Sequence, residues 1–156
     1  MLGQHAHTPN GNTWEAGLHL VRYLKGARDL GLLFGRTSGS LGEYAAEPGE
    51  IVVYCDADWG GDLTNRRSRA GFALFRGHDL IGYASKKEPS VALSTGKAEL
   101  MAACFGAGES ISIMNKVAEL EIDEWSGPSR VFSGNTATIQ LSTNPSFSWL
   151  AKHIHM

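Results

Sequence analysis

Residues Ile51 to Asp62 read IVVYCDADWGGD. The run from Ile51 to Cys55 is strand-forming and shows no alternation of polar and apolar side chains, which is typical of a strand covered on both faces. We therefore predict a central strand here. Asp56 and Asp58 follow at its end, and the pleat of a strand turns alternate side chains to the same face. The sequence thus predicts two carboxylates side by side at the end of a buried strand.

This pair of carboxylates suits a hard divalent cation. Oxygen ligands are the ones that Mg²⁺ and Mn²⁺ prefer, and a bound cation offsets the repulsion between two negative charges. Asp, Trp and Gly are also common where a strand ends in a turn, so an acidic turn without an ion is the alternative interpretation. The stretch by itself leaves both interpretations open.

The composition indicates one ordinary globular domain. A chain of 156 residues, 42% hydrophobic and 19% charged, is long enough to build a core without disulfides. The formal net charge of −2 means that nucleic-acid binding requires a local basic patch. We expect Cys55 and Cys104, both in apolar surroundings, to be buried free thiols. The sequence contains no apolar run of membrane-spanning length and no signal-like segment, so we expect an intracellular protein, cytoplasmic or nuclear, with no membrane partner.

The N-terminal part is predicted to contain a flexible arm, a helix with a strand, and a linker. Residues 1–12 are polar and rich in helix breakers. Asn12 and Glu15 resemble a capping box, and apolar residues at helical spacing predict a helix over 13–25 that ends at Gly26. Leu30 to Phe34 predicts a short strand, which completes a unit over 13–34. The breaker-rich linker over 35–49 then leads to the main domain, 50–156.

The main domain is predicted to continue with two strands and a long helix. Strands at 70–76 and 80–84, joined by a hairpin loop at 77–79, form an antiparallel meander with the first strand. Ser94 or Thr95 caps a long helix, and Glu99 falls in its first turn. The stripe expected to pack on the sheet is Leu100, Cys104, Ala107, Ile111, Met114 and Ala118.

A short strand and a short helix are predicted to follow. Residues 130–133 (RVFS) form the strand, and a helix over 136–141 follows Asn135 as its cap. Asn144 and Pro145 end that helix.

Four sequence motifs, in this order, resemble the end of a copia-type LTR retrotransposon polyprotein. They are HLVRYLKGARDLGLLF (19–34), YCDADWGGDLTNRRSRAGFALF (54–75), ASKKEPSVALSTGKAELMAA (84–103) and AKHIH (151–155). The usual family forms resemble YCDADWAGD, SSKKQ-x-x-VALSSTEAEYMA and TKHID. The resemblance implies that residues 50–156 form a ribonuclease H-like domain and that 13–34 correspond to the tail of the reverse-transcriptase connection region. The implied fold is an α/β mixed sheet with three antiparallel strands, a long helix, a parallel fourth strand and a short helix, lacking the family's final strand and helix.

The resemblance also implies a chemistry and its residues. That family hydrolyses the RNA strand of an RNA/DNA hybrid with two Mg²⁺ or Mn²⁺ ions held by four carboxylates. Carried over by motif, Asp56 is the first carboxylate, shared between the metals, and Glu99 is the second. The third departs from the pattern, because VFSGNTATIQL (131–141) stands where the family form resembles IYCDNQGAIAL, which places Gly134 at the aspartate position.

The fourth aspartate, which follows the KHID motif in the family, has no counterpart before Met156. Further departures place Lys97 near Glu99 and replace the aspartate of KHID by His155. Because a hard cation depends on charged oxygen ligands, we expect weak metal binding and weak or absent cleavage. Asp58 and His155 are the candidate replacement ligands.

Basic side chains near the acidic turn offer a surface for phosphates. Those expected to contact the backbones of a hybrid are Arg66, Arg67, Arg69, Lys86 and Lys87, the alternative being a solvated turn. Trp59 and Tyr83 are candidates for stacking on sugars or bases, or else part of the core.

Two functional hypotheses follow. One is a retroelement-derived ribonuclease H acting on RNA/DNA hybrids, and the other is a repurposed, non-catalytic fold that binds nucleic acid or a protein partner. The predicted lack of closing elements also suggests self-association as a homodimer.

Overall fold

The structure is a computed structural model that describes residues 2–35, 47, 49–121 and 128–144. The chain divides into two compact units, Met1–Leu33 and Phe34–Met156.

The first unit contains one helix. A 3-10 turn, Leu2–His5, precedes helix α1, Gly11–Gly26. The helix begins two residues earlier than predicted because Asn10, not Asn12, is its cap. The Asn10 side chain accepts from the Thr13 backbone N–H at 2.9 Å, and the Thr13 hydroxyl accepts from the Asn10 N–H at 2.8 Å. This reciprocal pair satisfies two backbone donors at the start of the helix.

The strand predicted from Leu30 to Phe34 does not form. Within the described residues this segment pairs with no strand, and its large side chains are exposed, Leu30 by 77% and Phe34 by 63%. An apolar run becomes a strand only where a neighbouring strand supplies hydrogen-bond partners, and composition alone does not provide one.

The second unit is built on a four-stranded mixed sheet. Its strands are β1 (Ile51–Asp58), β2 (Arg69–Arg76), β3 (Asp79–Lys87) and β4 (Arg130–Ser133), in the order β3-β2-β1-β4. β1 pairs antiparallel with β2 and parallel with β4, and β2 pairs antiparallel with β3. This arrangement confirms the predicted mixed sheet and the parallel fourth strand. The hairpin turns at Gly77, whose φ of 57° lies in the left-handed region that glycine adopts easily.

β1 is the buried centre of the sheet, as its sequence predicted. Ile51, Val52 and Val53 are at most 2% exposed, because β2 and β4 flank the strand. Ile51 and Val53 belong to the cluster that packs against the long helix. On the opposite face the Tyr54 ring stacks on Phe132 of β4, with centroids 5.2 Å apart. This stacking helps hold β4 in register beside β1.

The long helix, α2 (Thr95–Glu119), presents a different face to the sheet from the one predicted. Its buried residues are all small: Ala98, Ala102, Gly106 and Ser110. A Cβ at Gly106 would lie 2.5 Å from Cys55 Sγ and 2.8 Å from Val53 Cγ1, so the helix approaches too closely for a larger side chain at this position. The predicted stripe was therefore wrong at its centre: Cys104, expected to be buried, and Ile111 are exposed, whereas Met114 does pack against the core. Cys55 is buried as predicted.

An ion pair fastens β4 to the start of β1. The Arg130 guanidinium donates to both carboxylate oxygens of Glu50, with Nη2 to Oε2 at 2.6 Å. The hydrogen bond from Arg130 is the main reason why the pKa of Glu50 is lowered, although burial opposes it. Because folding lowers the pKa of Glu50, this ion pair stabilises the fold at pH values above the ordinary glutamate pKa. The stabilisation is lost as the pH falls through the lowered pKa.

A short helix, α3 (Thr136–Thr143), follows β4 and confirms the predicted element and its cap. The Asn135 side chain accepts from the Thr138 N–H at 3.1 Å. The Thr138 hydroxyl donates to the Gly96 carbonyl at 3.3 Å, which ties α3 to the first turn of α2. The AKHIH segment and His155 lie outside the described residues.

Candidate metal and nucleic-acid site

The fold brings Asp56 and Glu99 together at the end of the sheet. Asp56 lies near the end of β1, and Glu99 lies near the start of α2. The Ala57 backbone N–H lies close enough to the Glu99 carboxylate to lower its pKa, which places the helix residue beside the strand. Burial raises the pKa of Glu99, and the charge of Asp56 raises it further, against the opposing effect of the Ala57 N–H. These carboxylates therefore interact electrostatically, as a shared cation site requires.

The predicted position of Glu99 in the first turn of α2 was wrong. Ser94 caps the helix, the first helical residue is Thr95, and the first turn holds no acidic residue. Glu99 begins the second turn, where the stabilising effect of the helix dipole on a negative charge has largely faded.

One oxygen of Glu99 is enclosed without a partner. Its Oε2 atom is buried and accepts no hydrogen bond. Neither Asp56 nor Glu99 forms an ion pair within the described residues. A buried, unpaired carboxylate oxygen destabilises a protein, and a cation is the group that would best satisfy it. The two carboxylates fit one hard divalent cation.

Gly134 directly follows β4 at the end of the sheet that carries this pair. The parallel pairing of β1 with β4 ends where Cys55 lies opposite Ser133, and the residues that come next in the two segments are Asp56 and Gly134. A Cβ at Gly134 would meet nothing within 4 Å, and the glycine is exposed. The position thus has room for a side chain but offers no ligand atom. In the part of the chain that the structure describes, no group of three or more His, Cys, Asp or Glu side chains is placed to hold a metal.

Asp58 lies on the same face of β1 as Asp56 but is directed toward the turn. A Cβ added at Gly61 would overlap the Asp58 carboxylate, so this side chain lies over the turn after the strand. Asp58 is also absent from the groups that raise the pKa of Glu99. Its role as a replacement ligand stays a prediction.

The basic residues divide between the two faces of the sheet and the turn. Arg69 lies in register with Asp58 on one side and Lys87 on the other. Lys87 forms an ion pair with Asp62, which is the main reason why the pKa of Asp62 is lowered. Lys86 points to the other face, where its Nζ lies 5.5 Å from the centroid of the Phe105 ring.

The remaining two basic residues lie in the exposed turn between β1 and β2. Arg66 adopts a φ of 56°, and its guanidinium lies over Gly60. Arg67 is exposed. The basic residues nearest the acidic strand end are therefore Arg66, Arg67 and Arg69.

Sequence reasoning missed a contact made by Trp59. This side chain, 47% exposed, is neither a core residue nor free in solvent, because its Nε1–H donates to the Ala92 carbonyl at 2.9 Å. Tyr83, the other aromatic candidate, is 74% exposed. The sequence shows only that Trp59 directly follows a predicted strand, and this position does not predict which group accepts its N–H.

The chain is similar in sequence to several known proteins. No known family profile matches the chain. The chain is 32% identical over 153 residues to the retrovirus-related Pol polyprotein from transposon RE2 of Arabidopsis thaliana, which covers 98% of this chain and 10% of that protein. The matching polyprotein from transposon TNT 1-94 of Nicotiana tabacum is 30% identical over 99% of this chain and 11% of its own length. The chain thus spans about a tenth of these polyproteins.

A relative of more similar size is the secreted RxLR effector protein 161 of Plasmopara viticola, 33% identical over 71% of this chain and 72% of that protein. Among solved structures, LC11-RNase H1 in complex with an RNA/DNA hybrid shows a TM-score of 0.47 and 13% identity over 66% of this chain and 72% of that one. In the described residues, no helix is both long and apolar enough to cross a membrane. Because the sequence similarity runs along nearly the whole chain, the protein belongs to the family of copia-type retrotransposon Pol polyproteins and corresponds to about a tenth of their length.

Proposed function

We propose that the protein binds one divalent cation weakly through Asp56 and Glu99, binds RNA/DNA hybrids, and cleaves them poorly or not at all. The observation that carries this proposal is the meeting of Asp56 with Glu99 at the end of the sheet that also carries Gly134, where the resemblance expects a third carboxylate. A site for a hard cation is present in part, and its remaining ligand position is a glycine.

The residues at the site support binding better than turnover. A bound Mg²⁺ or Mn²⁺ ion would supply Lewis acidity toward a phosphate oxygen and lower the pKa of bound water. Glu99 contributes an enclosed oxygen beside β1, and Asp56 contributes an exposed carboxylate that a substrate can approach. Two carboxylates balance the charge of one divalent ion but leave a second ion without anionic ligands. Efficient two-metal hydrolysis therefore requires ligands beyond this pair.

A hybrid would be held through its phosphates. Arg66, Arg67 and Arg69 lie in and beside the turn that follows the acidic strand end. Contacts of this kind fix the position of a duplex without reading its sequence. With a net charge of −2, the protein relies on this local cluster, so binding is expected to be modest and sensitive to salt.

The second candidate is a repurposed fold that binds nucleic acid or a protein partner and cleaves nothing. The specific observation in its favour is Gly134, which leaves an open position without ligand atoms at the site. A relative of similar size carries the name of a secreted effector rather than that of a polyprotein, so this ancestry extends to proteins named for another role. An intracellular location and self-association as a homodimer stay predictions within either candidate.

Cleavage and binding of a labelled RNA/DNA hybrid in Mn²⁺ decide between the two candidates. We expect the parent to bind the hybrid and to cut it little, and Asp56→Asn to abolish whatever cutting there is. Robust cleavage that Asp56→Asn abolishes would overturn the impaired-site proposal in favour of an active nuclease. Failure to bind the hybrid at all would overturn both nucleic-acid roles and leave the protein-partner candidate.

A further inference from the structure

Trp59 connects the two parts of the chain that carry the candidate ligands. It directly follows β1, which bears Asp56, and its hydrogen-bond acceptor, Ala92, lies just before α2, which bears Glu99. We propose that Trp59 is a positioning residue that fixes the start of α2, and with it Glu99, against the Asp56 end of β1. This inference rests on the proposed function in that it concerns the same cation site.

The hydrogen bond itself is specific. An indole N–H only donates, and at 2.9 Å it is well within range of the Ala92 carbonyl. This hydrogen bond is partly buried: Trp59 as a whole is 47% exposed, whereas Ala92 is only 3% exposed. Removal of the indole N–H would leave a sheltered carbonyl without this donor, which costs more than the loss of an exposed hydrogen bond.

Other hydrogen bonds fix the far end of the segment that precedes α2. The Gly60 N–H donates to the Ser68 hydroxyl at 3.2 Å, and the Glu88 N–H donates to the Ser68 carbonyl at 2.9 Å. Ser68 is fully buried. These bonds hold Glu88 to the turn after β1, while Ala92, closer to α2, is held by Trp59.

Apolar packing holds this segment at Ala92, which belongs to the buried core, and holds the residues on either side of it less firmly. Val91 is 46% exposed and Leu93 is 78% exposed, so their side chains anchor it weakly. The Trp59 indole therefore links this segment to the end of β1. The first turn of α2 is also held from α3, where the Thr138 hydroxyl donates to the Gly96 carbonyl.

Ser94 then transmits that position to Glu99. As the cap of α2, it accepts from the Lys97 N–H on its hydroxyl at 3.2 Å and from the Ala98 N–H on its carbonyl at 3.1 Å. Glu99 is the next residue. A shift of Ser94 would loosen the first turn of α2 and move the Glu99 carboxylate relative to the Ala57 N–H.

The test compares Trp59→Phe with the matched control Trp14→Phe. The phenyl ring keeps an aromatic side chain at position 59 but removes the donor. Trp14 is 67% exposed and lies in α1, in the other unit of the chain. Mn²⁺ affinity is measured by electron paramagnetic resonance on the folded proteins, with Asp56→Asn to show which binding belongs to the site. Amide hydrogen exchange at Lys97 and Ala98 provides a readout that does not depend on the metal, with the later turns of α2 as the internal reference.

We expect Trp59→Phe to weaken Mn²⁺ binding about fivefold and to speed exchange at Lys97 and Ala98 by a similar factor, as loss of one hydrogen bond predicts. The control is expected to match the parent in both measurements. An unchanged Mn²⁺ affinity, or exchange that rises equally along the whole of α2, would overturn the positioning role.

Failure of the proposed function gives a different result. If the parent binds no Mn²⁺, or binds it equally well after Asp56→Asn, the cation site itself is wrong. The exchange data then decide alone. Faster exchange confined to Lys97 and Ala98 in Trp59→Phe would support the link between Trp59 and α2, and unchanged exchange would overturn it.

Discussion

At the level of single residues, Glu99 lies where a metal ligand is needed, but its buried carboxylate destabilises the metal-free protein. Burial and the neighbouring Asp56 raise its pKa, and one of its oxygens has no hydrogen-bond partner. When folding raises the pKa of a carboxyl, the protein is more stable at pH values below the ordinary pKa of that carboxyl than at higher pH. This stability is lost as the pH rises through the raised pKa. At neutral pH the ionised Glu99 therefore destabilises the protein when no cation is bound.

Glu99→Gln should consequently make the metal-free protein more stable near neutral pH. We expect a gain of up to about 1 kcal/mol in the free energy of unfolding, because the amide carries no charge to desolvate. The gain should shrink toward about pH 3, below the ordinary glutamate pKa, because the parent carboxyl becomes protonated there in both the folded and the unfolded state. Urea unfolding in the presence of a chelator at both pH values measures it. Asp58→Asn is the control, since this exposed carboxylate does not act on Glu99, and equal gains in the two variants would contradict the explanation.

Gly134 is the second residue whose replacement is informative. Because a Cβ there meets nothing within 4 Å, Gly134→Asp introduces a carboxylate at the Asp56 end of the sheet without a steric clash. We expect Mn²⁺ affinity to rise about tenfold or more, since a third anionic oxygen is added to the site. Isothermal titration with Mn²⁺ measures the change.

Gly108→Asp is the control for the added charge. Its Cβ also meets nothing within 4 Å, and it lies nine residues after Glu99 on α2, about 13 Å along the helix axis. If Gly134→Asp and Gly108→Asp bind Mn²⁺ equally, the assignment of the aspartate position to Gly134 is wrong.

At the level of elements, the close contact between α2 and the sheet depends on one glycine. Gly106→Ala would force a Cβ against Cys55 Sγ and Val53 Cγ1, at 2.5 and 2.8 Å. We expect it to lower the free energy of unfolding by about 1–3 kcal/mol through overpacking. Gly108→Ala, in the same helix but with open space around its Cβ, should instead stabilise by about 0.5–1 kcal/mol through helix propensity. Thermal unfolding of both variants tests this pair, and destabilisation by both would argue against the close contact.

The same helix shows how far sequence reasoning extends. Ser94 as a cap, Gly77 in a hairpin and Asn135 before α3 are local signals, and each of these predictions was confirmed. The face of α2 that meets the sheet depends on how closely the helix approaches the strands. The positions of large apolar residues such as Ile111 do not predict that distance. The sequence pattern therefore selected the larger side chains, of which Met114 does pack on the core, while the residues of α2 that are fully buried are the small ones.

For the candidate site, too, local features could be predicted from the sequence and contacts between distant segments could not. A strand-end pair of carboxylates can be predicted from the pleat, and Asp56 and Asp58 do share a face of β1. The approach of Glu99 to Asp56 joins residues more than forty positions apart in sequence, so it came from family resemblance and not from local pattern. The Trp59 contact with Ala92 could be predicted neither from the local pattern nor from the resemblance. An indole N–H can donate in many geometries, and its acceptor here is a backbone carbonyl, which has no sequence signature.

At the level of the whole molecule, the balance of charge determines how a hybrid can bind. The protein carries 14 basic and 16 acidic side chains, so long-range attraction to nucleic acid is absent and only the local basic cluster contributes. Each phosphate contact adds about 0.9 to the slope of log affinity against log salt concentration. The double variant Arg66→Gln with Arg67→Gln should therefore weaken hybrid binding at low salt and reduce this slope by about 2 if both residues contact phosphates.

Fluorescence anisotropy of a labelled hybrid across a series of NaCl concentrations measures both quantities. Lys116→Gln is the control, because it removes a positive charge near the far end of α2, away from the acidic strand end. Its slope should equal that of the parent. A double variant with an unchanged slope would show that the turn between β1 and β2 is solvated surface, and the hybrid would then have to be held elsewhere on the protein.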